Sequence, residues 1–121
     1  SGSTFSRSAR FLRQTRSIPQ LAYFGLVAIG VAPVVEEILF RGVLYPVIKQ
    51  QGCPQLALWL TSILFAATHV NLMAFLPLTV FALILVGLYE RTDNLMAPIL
   101  THSLFNLANF TYVVWEGIGT G

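Results

Sequence analysis

Charge is what this sequence has least of. Only 10% of its 121 residues are Asp, Glu, Lys or Arg, while 55% are apolar. Ordinary soluble domains carry roughly a quarter charged residues, so a water-soluble globule is the disfavoured class. The single cysteine, Cys53, excludes an intrachain disulfide and any cysteine metal cluster. No repeat with a period of about 20–50 residues is visible, which sets solenoid architectures aside. Alternating strand patterns are missing as well, and an open sheet edge cannot sit in lipid.

Long uncharged stretches are what the chain has instead. Ile18–Val35 carries no charge, Leu56–Leu88 has His69 as its one ionisable group, and Leu95–Trp115 has only His102. A bilayer core takes about 20 predominantly apolar residues per helical span. These windows therefore predict an all-α, polytopic transmembrane helical bundle of about four to five helices and about four spans. Residues 1–17 read as a basic juxtamembrane leader, with Arg7, Arg10, Arg13 and Arg16 at a spacing of three. Such a stripe suits the cytoplasmic leaflet and its anionic lipids, and sets an expectation of a cytoplasmic N-terminus. The leader and the apolar run from Leu21 are not read as a cleaved signal, because the apolar character resumes directly after Ala32 and Pro33. Residues 18–116 are expected to form the membrane domain and 117–121 a short tail. A start at "SGST" is consistent with a fragment of a larger bundle.

Proline and glycine set the expected boundaries. Pro33 suits a first helical turn, so Leu21–Val31 and Pro33–Lys49 are two pieces or one kinked helix. Gly52 and Pro54 mark the next break, a third helix runs from Pro54 to His69, and "LPLTVFALILVGLYE" is a fourth. Asp93 or Asn94 is placed to cap a last helix from Met96 to Trp115. Tyr23, Tyr45, Trp59, Tyr89, Tyr112 and Trp115 suit interfacial anchoring.

Three polar islands interrupt the apolar helices. In "EEILFR", Glu37 and Arg41 are four apart and can pair on one face, while Glu36 is rotated away by about 100°. In "FAATH", Phe65 and His69 share a face, with Phe65 read as packing. In "HSLFN", His102 and Asn106 do the same, and Asn109 follows. Burying an ionised carboxylate in a bilayer costs about 2.5–3.5 kcal/mol even on insertion scales, so intramembrane ionisable groups point to function. Two imidazoles and a carboxylate from separate helices are donor types that suit zinc, giving Glu36, His69 and His102 as candidate metal ligands. With or without a metal, a Glu–His pair can activate water, and a second His with an Asn amide can donate to a developing oxyanion. The competing reading makes each island a packing device: a structural ion pair, a core histidine, interhelical hydrogen-bond glue.

Taken in order, EExxxR, FxxxH and HxxxN resemble the motifs of the CPBP family of intramembrane glutamic or metalloproteases, which includes type II CAAX prenyl endopeptidases and Abi-like bacteriocin-immunity proteins. The likeness runs from about Pro33 to Asn109 and takes in "FALILVGLYERTDNLMAPILTH". It implies that Glu36 activates water held with His69, that His102 and Asn106 form the oxyanion hole, and that Glu37 and Arg41 support the site. It also implies a membrane-associated or lipid-anchored polypeptide substrate, membrane lipids as surroundings, a bacterial-type cell membrane and no nucleic-acid partner. Family members commonly have more spans than this chain offers, which keeps a non-proteolytic scaffold or immunity-type binding protein as the alternative.

Overall fold

The computed structural model describes residues 17–119, and these are all helical apart from their connections. The arginines expected to form the basic leader lie outside the described residues. Four helices follow one another: α1 Ile18–Gln50, α2 Pro54–Ala67, α3 Phe75–Thr92 and α4 Met96–Gly119.

Helix α1 is one continuous helix and not two pieces. Ser17 caps its start, accepting from the Gln20 amide at 3.3 Å. Two π-helical segments, Val27–Val31 and Ile38–Leu44, carry the chain through the region where a break was expected. Widening the helix draws the preceding turn away from the Pro33 ring, which in an α-helical register would clash with the carbonyl four residues back. Gly52 then ends the helix at φ 85°, with its N–H on the Lys49 carbonyl at 3.0 Å, a left-handed termination that glycine adopts without strain. In the connection from α3 to α4, Asp93 and Asn94, either of which was placed to cap the last helix, serve different helices. Asp93 closes α3 in the left-handed region, and the Asn94 side chain accepts from the Met96 amide at 2.9 Å to open α4. Helix α4 runs through the expected tail to Gly119.

Two of the four helices, α1 and α3, are long and apolar enough to cross a membrane. The other two are a shorter apolar helix, α2, of 14 residues, about 21 Å long against a hydrocarbon core of about 30 Å, and α4. Helix α4 has the length, but His102, Asn106, Asn109 and Glu116 dilute its apolar character. In the most apolar stretches of α1 and α3 only 11% and 22% of residues are buried. Apolar side chains turned outward on this scale suit lipid and would be untenable in water. The protein is an integral membrane protein. The buried Thr79 hydroxyl donates back to the Phe75 carbonyl within its own helix.

The chain divides into two compact units, Ser1–Pro33 with His102–Gly121, and Val34–Thr101. In the first, Gly25 meets Phe110 so closely that an added Cβ would stand 3.2 Å from the ring, and Phe24 stacks on the same ring. In the second, two small cores hold α1, α2 and α3 together. One joins Tyr45, Ala57 and Val86, the other Phe65, Ala82 and Leu85. Alanines at 57 and 82 let the backbones approach, as small residues do in membrane bundles.

Candidate active site

In the Val34–Thr101 unit the first island is built around Arg41. Its Nη1 donates to Glu37 Oε1 at 3.1 Å, the i,i+4 pair that the sequence spacing allows, and both side chains are fully buried. Nη2 reaches across to the Ala82 carbonyl on α3 at 3.1 Å. The guanidinium carbon lies 4.6 Å above the centre of the Phe65 ring on α2. One side chain thus ties together α1, α2 and α3, using a carboxylate, a backbone carbonyl and an aromatic face. Glu36 is half-buried on the adjoining face of α1.

His69 lies just beyond the C-terminus of α2, in a turn, and its side chain is exposed. Its Nδ1 is 2.9 Å from the Phe65 carbonyl and 3.5 Å from Thr68 Oγ1. That hydroxyl already donates to the same carbonyl at 2.7 Å. Both neighbours of Nδ1 are acceptors, so Nδ1 carries a proton, and in the neutral imidazole Nε2 is the nitrogen with the lone pair. Val70, which follows, stands at φ 48°, an unfavourable place for a β-branched residue. Strain is therefore held directly beside the imidazole.

The third island belongs to the other unit. His102 is buried. Asn106 donates from Nδ2 to the Ala28 carbonyl at 2.7 Å, and the cause can be read in the chain. In the π segment the Ala32 amide bonds to Val27, leaving Ala28 to the next residue, which is Pro33 and has no N–H. Asn106 supplies the donor that Pro33 cannot. A carbonyl only accepts, so this contact fixes which end of the amide is nitrogen, a group that carries a second N–H.

Within Val34–Thr101 the fold brings together Glu37, Arg41, Phe65 and His69. His102 and Asn106 belong to the other unit. Among the described residues no group of three or more His, Cys, Asp or Glu side chains that could hold a metal ion is found. Sequence reasoning missed the Ala82 and Ala28 carbonyls, because backbone acceptors carry no residue signature. It also missed a polar cluster at the far ends of α1 and α3. There Tyr45 and Lys49 both donate to Glu90 Oε1, at 2.5 and 2.6 Å. They line a cavity of about 400 Å³ with Pro46, Gln50, Tyr89 and Asp93. Tyr45 is therefore a buried network residue and not the interfacial anchor expected of it, whereas Tyr23 and Trp115 are largely exposed.

Residues 18–108 match the family model described as type II CAAX prenyl endopeptidase Rce1-like. Among curated proteins, the chain is 32% identical over 95 residues to the uncharacterized protein YpbD of Bacillus subtilis, covering 75% of this chain and 44% of that protein. It is 35% identical over 96 residues to an uncharacterized 24.3 kDa protein of Escherichia coli, covering 72% and 42%. It is also 29% identical over 89 residues to a Bacillus subtilis protein named "Putative membrane peptidase YdiL", covering 74% and 35%. The chain thus spans less than half the length of these relatives. No solved structure matches it.

Proposed function

Because this chain belongs to the Rce1-like family of type II CAAX prenyl endopeptidases, we propose that it takes part in intramembrane peptide-bond hydrolysis on a membrane-associated or lipid-anchored polypeptide. The observation that carries the reading is the contact of His69, whose Nδ1–H is tied to the Phe65 carbonyl, so that in the neutral ring Nε2 is the nitrogen with a lone pair. An imidazole held in that tautomer can accept a hydrogen bond from water. Glu36, on the helix that Arg41 anchors, acts as the general base that takes the water proton as oxygen attacks the scissile carbonyl. On this reading the proton passes from Glu36 to the leaving amine, and His102 with the second N–H of Asn106 donates to the oxyanion. Glu37 and Arg41 hold the helices in place.

Glu36, His69 and His102 are donor types that zinc accepts, and a bound zinc would supply a water of lowered pKa. No step above depends on a metal. The leader arginines favour a cytoplasmic N-terminus through the positive-inside bias.

The test compares new peptide termini in membranes from cells making the chain or its Glu36→Gln variant. Specific cleavages should vanish in the variant, since loss of a general base typically costs about 10²–10⁴-fold. Identical termini at identical rates in both would remove Glu36 from the chemistry and favour the scaffold or immunity-type reading.

A further inference from the structure

Phe65 looks like simple packing, yet its contacts are unusually specific. Its ring is fully buried, and Arg41, Phe40 and His69 are among the groups packed on it. The Arg41 guanidinium covers one face at 4.6 Å. Phe40 meets it edge-on at 5.5 Å and 86°. The imidazole of His69 lies against it at 5.0 Å and 56°. The same residue's carbonyl receives His69 Nδ1. Phe65 thus touches the imidazole twice, once through its ring and once through its backbone.

His69 needs such support. It lies past the last residue of α2, on a turn, with strained Val70 after it. A histidine there would ordinarily sample several rotamers and both neutral tautomers. Arg41 does not sample: Glu37, the Ala82 carbonyl and burial fix it. A planar cation stacked on one side of Phe65 restrains the ring, and the ring in turn restrains the imidazole.

We propose that Phe65 is a positioning residue that transmits the Arg41 anchor to His69, fixing the imidazole plane and its Nδ1–H tautomer. The structural half of this inference stands on its own contacts. Its consequence for turnover rests on the hydrolytic role proposed above for His69.

Nitrogen-15 histidine labelling separates the two. The chain contains two histidines, so a His102→Gln variant assigns both imidazoles in detergent micelles. In the parent, His69 should show a protonated Nδ1 and an unprotonated Nε2 near neutral pH. Phe65→Leu keeps apolar volume but removes the stacking plane, and Arg41→Lys keeps the charge but removes its planar partner. Both should leave the helical circular dichroism in place and shift the His69 tautomer populations toward a mixture. Where specific cleavage is measured, kcat should fall by about 10²-fold with KM little changed, as for a misplaced catalytic group. A parent already in the Nε2–H form, or folded Phe65→Leu and Arg41→Lys variants with the parent's tautomer, would overturn the positioning role. A shifted tautomer with undiminished kcat would uphold positioning and overturn the catalytic role of His69 instead.

Discussion

Glu37–Arg41 and Lys49–Glu90 are both ion pairs of the Val34–Thr101 unit, and they live in opposite surroundings. The first is fully buried at 3.1 Å. The second is shorter, 2.6 Å, with side chains 44% and 37% exposed. Length ranks the exposed pair as stronger, and physics ranks it as weaker. Water and ions screen Lys49 and Glu90, so the pair contributes about 0–1 kcal/mol. Around Arg41 both side chains are fully buried, so water screens little of their attraction. The lesson is one of dependence: the buried pair adds little net stability over an apolar replacement, yet the unit cannot lose one half of it.

Breaking that asymmetry is the sharpest test. Arg41→Ala should destabilise the helical unit by about 3–5 kcal/mol, since it strands a buried carboxylate and leaves a void over Phe65. Thermal unfolding in detergent, followed by circular dichroism, reads the loss. Replacing both partners in Glu37→Leu/Arg41→Leu should recover most of that stability without restoring the parent's His69 tautomer. Stability that stays low in the double variant would mean the pair is worth more than its packing.

A smaller effect is expected in the other unit. Asn106→Ala leaves the Ala28 carbonyl without a donor and should cost about 1–2 kcal/mol. Pro33→Ala restores an N–H at the position where the π register needs one. The Asn106→Ala penalty should therefore shrink in a Pro33→Ala background, a coupling that a double-mutant cycle measures. Equal penalties in the two backgrounds would show that Asn106 does not substitute for the proline's missing donor.

The smallest effect belongs to the exposed pair. Lys49→Ala should shift stability by no more than about 1 kcal/mol, and raising salt to about 1 M should erase most of the difference. A larger, salt-insensitive loss would place Lys49 and Glu90 with the buried class and make Tyr45 their shared anchor.

Much of this was written in the residues. The uncharged stretches specified helices and lipid, because no other arrangement satisfies the backbone of so apolar a chain. Spacing of four specified that Glu37 and Arg41 could pair, because i and i+4 share a helix face. The order of EExxxR, FxxxH and HxxxN pointed to the family before any coordinate did.

What the residues could not contain was everything that depends on a second segment. Whether Pro33 would split α1 was decided by a π turn whose freed Ala28 carbonyl finds Asn106, a residue 78 positions away in the chain. Arg41 gained its other anchors from an alanine carbonyl on α3 and a ring on α2, neither marked by composition. Where helices end was also beyond an apolar window: α2 stops after 14 residues although the uncharged stretch runs on. Sequence determines which groups are costly to bury and which faces they share. Only tertiary structure decides which distant backbone or ring meets that cost, and with it which nitrogen of His69 is left to act.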